Sequence, residues 1–473
     1  MTIHAHKLRA THLVLALGAA IALSTGCAVG PNYRAPSVTV PSAYRAADAA
    51  EAPRTESTPL GDQKWSEVFQ DEQLQELIQT ALQKNFDVRI AAARILQAEA
   101  QLGVTRADQF PTLDGGAEIS SQRTAQSRFS AFDRSQGELI LSAAWELDFW
   151  GKFRRATEAA RASLLASEWA RQAVTSTLVA DLASSYFQLR ELDLELEISR
   201  RTLASRQESL RLIQDLSDQG LSTALDVRQA EQLVFTAGAR IPDLERQIEQ
   251  EENFISILVG RIPGAVQRGR MLTEQPHAPV VPAGLPSSLL ERRPDIRLAE
   301  QQLIAFNARI GVAKAAYFPQ ISLTGAGGFQ SSALTSLFSG PAGLWSVLGG
   351  LTQPIFTGGR IRSEVRFAEA QQQEALLVYQ QAIQQAFREV SDALVAYRKN
   401  QEFREQQEQL ARSAQDAAQL ADTRYRAGLT SYLEVLTNET NYFSAELGLA
   451  QARVNELEAL VQLYRALGGG WQQ

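Results

Sequence analysis

The chain has 473 residues, 45% apolar and 21% charged, with one cysteine, four histidines and a formal net charge of −7. A single cysteine excludes an internal disulfide framework, and the acid excess is a poor footprint for nucleic acid. His4, His6 and His12 lie in the first dozen residues, so a processed chain keeps only His277, too few for a histidine-cluster metal site or a Ser/His/Asp triad in each domain.

Residues 1–26 read as a signal peptide: Lys7 and Arg9 precede an apolar run, Leu13 to Leu23, that is too short to span a bilayer as a helix. Removing them takes the net charge from −7 to −9, since they carry two bases and no acid. Ser24-Thr25-Gly26 before Cys27 resembles a bacterial lipoprotein cleavage box, with Cys27 as the lipidated, palmitate-bearing first residue. Residues 27–60, rich in alanine and proline, read as an extended tether.

A first structural repeat is expected over 61–260. It opens with a helix over 71–109, rich in Ala, Gln, Glu, Leu and Arg, that stops at Phe110-Pro111. A β-hairpin follows over 112–149, clearest where Leu139, Leu141, Ala143, Trp145, Leu147 and Phe149 alternate with Glu138, Ile140, Ser142, Ala144, Glu146 and Asp148. Such a strand suits a half-buried sheet or a barrel wall with lipid outside and water inside. Residues 112–123 give the other strand, with the hairpin loop near 125–136. A long helix, 151–219, carries Leu182, Leu189, Leu196, Leu203 and Leu210 at seven-residue intervals, a spacing that drives supercoiling against partner helices. It would be about 100 Å long. A turn at Gly220 leads to a further helix over 221–259.

A proline-rich connector, 261–288, separates this from a second repeat over 289–473, with its own hairpin at 320–356 and loop near 331–343. The repeats share an offset of 208: Asp87-Val-Arg-Ile-Ala recurs at Asp295, Phe110-Pro-Thr-Leu at Phe318, and Gly220-Leu-Ser-Thr-Ala-Leu at Gly428. The fold class read from the residues is mainly α, two tandem repeats with four strands per chain suited to a half-buried sheet or a β-barrel sector. Phe110, Phe149, Trp150, Phe318 and Phe356 mark the strand–helix junctions, as an interfacial aromatic girdle would. Four strands cannot close a transmembrane barrel, so several chains must share one. Two chains give eight strands and a filled interior, three give twelve and an open lumen.

The segments Cys27-Ala-Val-Gly-Pro-Asn-Tyr33, Glu291-Arg-Arg-Pro-Asp-Ile-Arg297, Ile310-Gly-Val-Ala-Lys-Ala-Ala-Tyr-Phe-Pro319 and Tyr425-Arg-Ala-Gly-Leu-Thr-Ser-Tyr-Leu-Glu434 resemble the outer membrane factor family. Within it, they look most like the lipoproteins of drug and metal efflux. The resemblance implies a tandem-repeat α-helical barrel with four transmembrane β-strands per chain, and a homotrimer with a twelve-stranded barrel in outer membrane lipid and a helical tunnel in the periplasm. It also implies docking to a periplasmic adaptor (membrane fusion) protein coupled to an inner-membrane RND-type pump, with no cofactor, no catalytic residues, no metal site and no nucleic-acid partner. Carried onto this chain, it places a periplasmic gate at Leu433, Glu434, Thr437 and Tyr425, and adaptor contacts at Gly220, Leu221, Gly428 and Leu429. Thr437 stands where relatives often have a carboxylate. Thr430 replaces an arginine found in some, which implies a weaker lock or one using Arg424 or Arg426. The competing readings are a coiled-coil scaffold lipoprotein, which leaves the strands without purpose, and a cell-envelope hydrolase, for which no acid pair stands out. The exported cargo is not written in the sequence.

Overall fold

The computed structural model describes residues 28–38, 40–41, 60–127, 130–275 and 286–472; the leader, Cys27 and part of the connector lie outside them. In chain order the elements are α1 (Trp65–Val68), α2 (Glu72–Lys84), α3 (Phe86–Ala107), β1 (Thr112–Ser127), β2 (Ser130–Leu147), α4 (Lys152–Asp218) and α5 (Ala224–Leu258). There follow α6 (Pro286–Arg292), α7 (Pro294–Ala315), β3 (Gln320–Ser331), β4 (Gly343–Thr352), α8 (Arg360–Arg426) and α9 (Tyr432–Ala466). The architecture is that of a tandem repeat: α3, α4 and α5 return 208 residues later as α7, α8 and α9, Phe86 becoming Pro294, Asp218 becoming Arg426 and Leu258 becoming Ala466.

The chain divides into two compact units. The first, Met1–Ser37, Arg94–Ser167 and Leu298–Gln380, holds one antiparallel sheet in the order β1-β2-β3-β4. Thr112 faces Ala144 in the first hairpin, and their counterparts Gln320 and Thr352 face each other in the second. The expected loop near 125–136 is instead strand: β1 runs to Ser127 and β2 starts at Ser130. Its Ser, Asp and Arg residues look like loop in one dimension, but antiparallel pairing satisfies their backbone groups. The loop near 331–343 holds two short 3-10 turns, Leu334–Ser336 and Gly340–Ala342.

At the strand–helix junction Asp148 accepts from the backbone N–H of Phe153 and Arg154 at 3.2 and 2.9 Å, capping the start of α4. Trp150 stacks on Phe318 at 4.7 Å and donates to the Pro319 carbonyl at 2.8 Å. Residues 28–33 strap across this unit. Arg155 donates to Asn32 Oδ1 (2.6 Å) and the Val29 carbonyl (3.3 Å), and Asn307 to the Pro31 carbonyl (3.0 Å). Gly30 takes φ +101°, and a Cβ there would lie 2.5 Å from the Gly311 Cα, so the approach requires glycine.

The second unit comprises Val38–Ala93, Glu168–Arg297 and Gln381–Gln473. The helix expected over 71–109 is two helices, broken at Asn85, whose extended ψ of 134° ends α2. Its Oδ1 accepts from Asp87 and Val88 N–H at 2.8 and 3.2 Å, while its Nδ2 donates to the Leu258 carbonyl at 2.9 Å. The counterpart 208 residues on is Arg293, between α6 and α7, and it donates to the Ala466 carbonyl at 3.1 Å, the counterpart of Leu258. One joint is thus made twice by unlike side chains. Asp71 caps α2 and also accepts from Tyr186 (3.0 Å), Arg270 N–H (2.9 Å) and Gln275 (2.9 Å), binding the connector to α4.

The leucine heptad packs unevenly. Leu182 and Leu189 are fully buried, but Leu196, Leu203 and Leu210 are only half-buried. The buried seam is Ser185, Leu192, Ser199, Arg206 and Ile213, also seven residues apart. Beside it Glu191 is 6% exposed, and burial, with Glu195 and Glu458 adding to it and Arg240 opposing, lifts its carboxyl to about 7. A folded-state value above the unfolded one means that protonation favours the fold. The penalty is absent below about pH 4 and grows as the pH rises through 7. Glu191→Gln should therefore raise the melting temperature at pH 8 and leave it unchanged at pH 4; equal shifts at both pH values would contradict this account.

Candidate functional site

Two features can serve a conduit: a two-faced sheet in the first unit and a pair of helical turns in the second. Alternation along the strands puts Leu113, Ile119, Leu139, Leu141, Trp145, Leu323, Phe329, Trp345, Val347 and Leu351 on one face. The other carries Asp114, Glu118, Gln136, Glu138, Ser142, Glu146, Ser322, Thr324 and Ser346, with Ile140, Leu344 and Leu348 as apolar exceptions. Trp345 is 82% exposed and Ile119 75%, which only a non-aqueous neighbour or another chain would make favourable. On the polar face Glu118 stands opposite Glu138, an unfavourable like-charge pairing. Glu138 accepts from Gln136 (3.2 Å) and Gln330 (3.3 Å), while Glu146 is neutralised by Lys152 at 3.0 Å. Along residues 112–123, 135–147, 320–331 and 343–352 no lysine or arginine falls on that face.

The helical turns are built alike. At the end of α4 Gly220 adopts φ +75°, its N–H bonding the Ser217 carbonyl (2.9 Å) and Leu221 N–H the Leu216 carbonyl (2.8 Å). At the end of α8 Gly428 adopts φ +70°, with Gly428 N–H to Tyr425 and Leu429 N–H to Arg424, both 2.9 Å. Both are Schellman closures, in which a left-handed glycine lets the last carbonyls find partners. Leu221 and Leu429 project into solvent, 72% and 71% exposed, and Leu225 and its counterpart Leu433 are also exposed.

The helix starts beyond the turns differ. Thr223 and Asp226 form a capping box at α5: Asp226 N–H donates to Thr223 Oγ1 at 3.2 Å and Thr223 N–H to Asp226 Oδ2 at 2.9 Å. Hydrogen bonds from the Thr223 backbone and hydroxyl hold the Asp226 carboxyl below its ordinary value. At α9 Ser431 makes no side-chain cap, and Glu434, the counterpart of Asp226, instead accepts from the Thr430 hydroxyl. Thr437 bonds back to the Leu433 carbonyl at 2.8 Å.

Tyr425 packs on Tyr432 with ring centroids 5.4 Å apart. Both belong to a small core joining Ile213 of α4, Ala230 of α5, Ala421 of α8 and Val435 and Leu436 of α9. Arg426 pairs with Asp422 at 2.8 Å. The gate and turn residues expected from sequence are thus gathered at these turns, whereas Cys27 lies outside the described residues. Sequence reasoning missed Arg206, 3% exposed, which donates to the Leu233 carbonyl at 3.0 Å and lies 5.0 Å from the Phe443 ring. With Tyr432, Glu439 and Asp422 it lines a cavity of about 690 Å³. Burial, and Asp422 after it, push the Glu439 carboxyl up, while Arg206 opposes the shift. The signal was present: Leu203, Arg206, Leu210 and Ile213 follow helical spacing, with an arginine in the apolar row. Among the described residues no group of three His, Cys, Asp or Glu is placed to hold a metal, and no helix is long and apolar enough to cross a membrane.

The unequal caps give a direct test. Thr223→Ala should lower stability by about 1 kcal/mol and speed amide exchange at the start of α5; Ser431→Ala should do neither. Equal effects at the two turns would refute the assignment.

The family model described as "Outer membrane efflux protein" matches residues 77–261 and again 285–469. The chain is 35% identical over 468 residues to the antibiotic efflux pump outer membrane protein ArpC of Pseudomonas putida, covering 98% of this chain and 96% of that protein. It is 36% identical over 454 residues to the cation efflux system protein CusC of Escherichia coli, covering 95% and 97%. The solved outer-membrane channel OprN superposes with a TM-score of 0.87 at 34% identity, over 94% of this chain and all of that one.

Proposed function

The chain belongs to the outer membrane efflux protein family as a channel component of the outer membrane, and on that premise we propose that three copies form one duct gated at the helical turns. The observation that carries this reading is the four-stranded sheet, apolar on one face and polar on the other, with β1 and β4 both left as edges. Exposed edges are untenable in hydrocarbon, so the wall must be completed by further copies. Twelve strands enclose an open lumen where eight would be filled by side chains.

In this reading the apolar face meets lipid and the polar face meets water. The duct then performs no chemistry; it provides an aqueous route that solutes follow passively, handed on by a periplasmic adaptor and an inner-membrane RND-type pump. Named relatives act in efflux of antibiotics and of cations. Gly220 with Leu221 and Gly428 with Leu429 offer two like apolar knobs for the adaptor. Leu433, Glu434, Thr437 and Tyr425 form the gate, Glu434 being its acid and Tyr425 its packing anchor against Tyr432. Opening is a shift between closed and open populations, biased by whatever the adaptor grips. Acylation of Cys27 would add a lipid anchor to each chain.

Planar-bilayer recording tests this. The unaltered protein should give small, rarely open, cation-preferring channels, and Glu434→Ala and Thr437→Asp should change their conductance. Silence under every condition would overturn the duct reading.

A further inference from the structure

The two hairpins are copies of one plan, but they differ in chemistry at the ends remote from the helices. The first carries Asp114, Glu118, Arg123, Asp133, Arg134 and Glu138, whereas residues 315–359 of the second repeat hold no charged side chain at all. The first also runs further: β3 ends at Ser331 opposite Gly137, while β1 and β2 stay paired as far as Ser127 and Ser130. That overhang is roughly 20 Å at the usual strand rise, and it takes Arg123, Asp133 and Arg134 beyond the end of β3. The loop joining β3 to β4, residues 331–343, turns apolar side chains outward instead. Leu334 and Phe338 are 61% and 71% exposed. Phe338 meets Phe329 edge to face with centroids 5.7 Å apart, and Phe329 shares the apolar face of the sheet with Trp345. Leu334 sits over Gly137 on that face, since a Cβ there would come within 3.2 Å of its Cδ2. The loop thus extends the apolar face.

Its polar groups are turned inward. The Ser331 hydroxyl bonds that of Ser336 at 2.7 Å, the Ser336 hydroxyl donates to the Ala333 carbonyl at 3.0 Å, and the Ser339 hydroxyl donates to the Ser336 carbonyl at 2.7 Å. The amides of Ala333, Ser336, Leu337, Ser339 and Ala342 also find acceptors within the loop. In water such self-sufficiency gains little, because solvent would serve the same groups; where water is scarce an unpaired group costs several kcal/mol. We propose, resting on the duct reading of the sheet, that this loop is a foot seated at the boundary between headgroups and acyl chains of the outer leaflet, with Leu334 and Phe338 among the chains. Lipid is the occupant for three reasons. The loop is continuous with the face that meets lipid in that reading, through Phe338 on Phe329. It has no ionised group to desolvate. Its serines are already satisfied. Two short 3-10 turns are too irregular for the hydrocarbon centre and suit the boundary. The longer, charged first hairpin stands clear in the water above.

The test uses the full chain in vesicles of phosphatidylethanolamine and phosphatidylglycerol. A nitroxide is placed on Leu334→Cys or Phe338→Cys, and the unsubstituted chain is labelled alongside as the blank for Cys27. Val347→Cys on the apolar face and Gln122→Cys on the polar face serve as lipid and water marks. Collisions with oxygen, which dissolves in acyl chains, should outweigh those with a water-soluble nickel chelate at both loop positions, by several-fold more than at Gln122→Cys. Adding Phe338→Asp to Leu334→Cys should move that balance several-fold toward nickel, and adding Phe338→Leu should not. Nickel-dominated collisions at both loop positions, with Val347→Cys still in lipid, would overturn the foot and leave the duct reading standing. So would protection from both reagents, the mark of a seat against another copy, or equal effects of Phe338→Asp and Phe338→Leu. Nickel access at Val347→Cys would overturn both.

Discussion

A peptide backbone cannot enter hydrocarbon with its amides and carbonyls unpaired, and the rest of this molecule follows from that constraint. The four strands satisfy it internally for β2 and β3 and leave it unsatisfied along β1 and β4. A chain with this sheet is therefore a fragment, whatever its helices do. The two faces agree with that condition: leucine, isoleucine and tryptophan on one side, carboxylates, serine and glutamine on the other. The opposed Glu118 and Glu138 would be a poor choice for a buried face and are tolerable where water and mobile counter-ions reach them.

Duplication supplies the remaining order. Each copy ends its long helix with the same left-handed glycine and the same pair of backbone hydrogen bonds, leaving a leucine exposed. Yet the copies are not interchangeable. The first turn locks its outgoing helix with Thr223 and Asp226, while the second lacks a side-chain cap at Ser431 and ties Glu434 to Thr430 instead. The turn with the looser start to its helix is also the one at which the gate is proposed.

Much of this was legible in the sequence because it rests on local chemistry. Proline after Phe110 and Phe318 ended helices, alternation at 138–149 gave a strand, and the spacing of 208 exposed the repeat. Three things were not legible, each for a tertiary reason. Asn85 breaks a helix whose composition favours continuation, because its amide is recruited by the Leu258 carbonyl far along the chain. The first hairpin outruns its expected loop, since strand pairing can sustain polar residues that composition assigns to turns. The leucine heptad of α4 drew attention from the seam that is more deeply buried, where Ser199 and Arg206 lie among close-packed helices. At the candidate site the glycine turns were legible from the repeat, while the proposed gate came from the family resemblance alone. The Arg206 and Phe443 contact required seeing which helices meet.

The joint made once by Asn85 and once by Arg293 sets the two halves of the chain on different footings. A neutral amide holds the Leu258 carbonyl, whereas the guanidinium holding Ala466 is itself gripped by Asp295 and Glu389 at 2.5 and 2.7 Å. The second arrangement therefore rests on fixed charges and the first on none. A body assembled by copying has in this way acquired unlike shoulders, one clasped by ions and its twin by an uncharged amide.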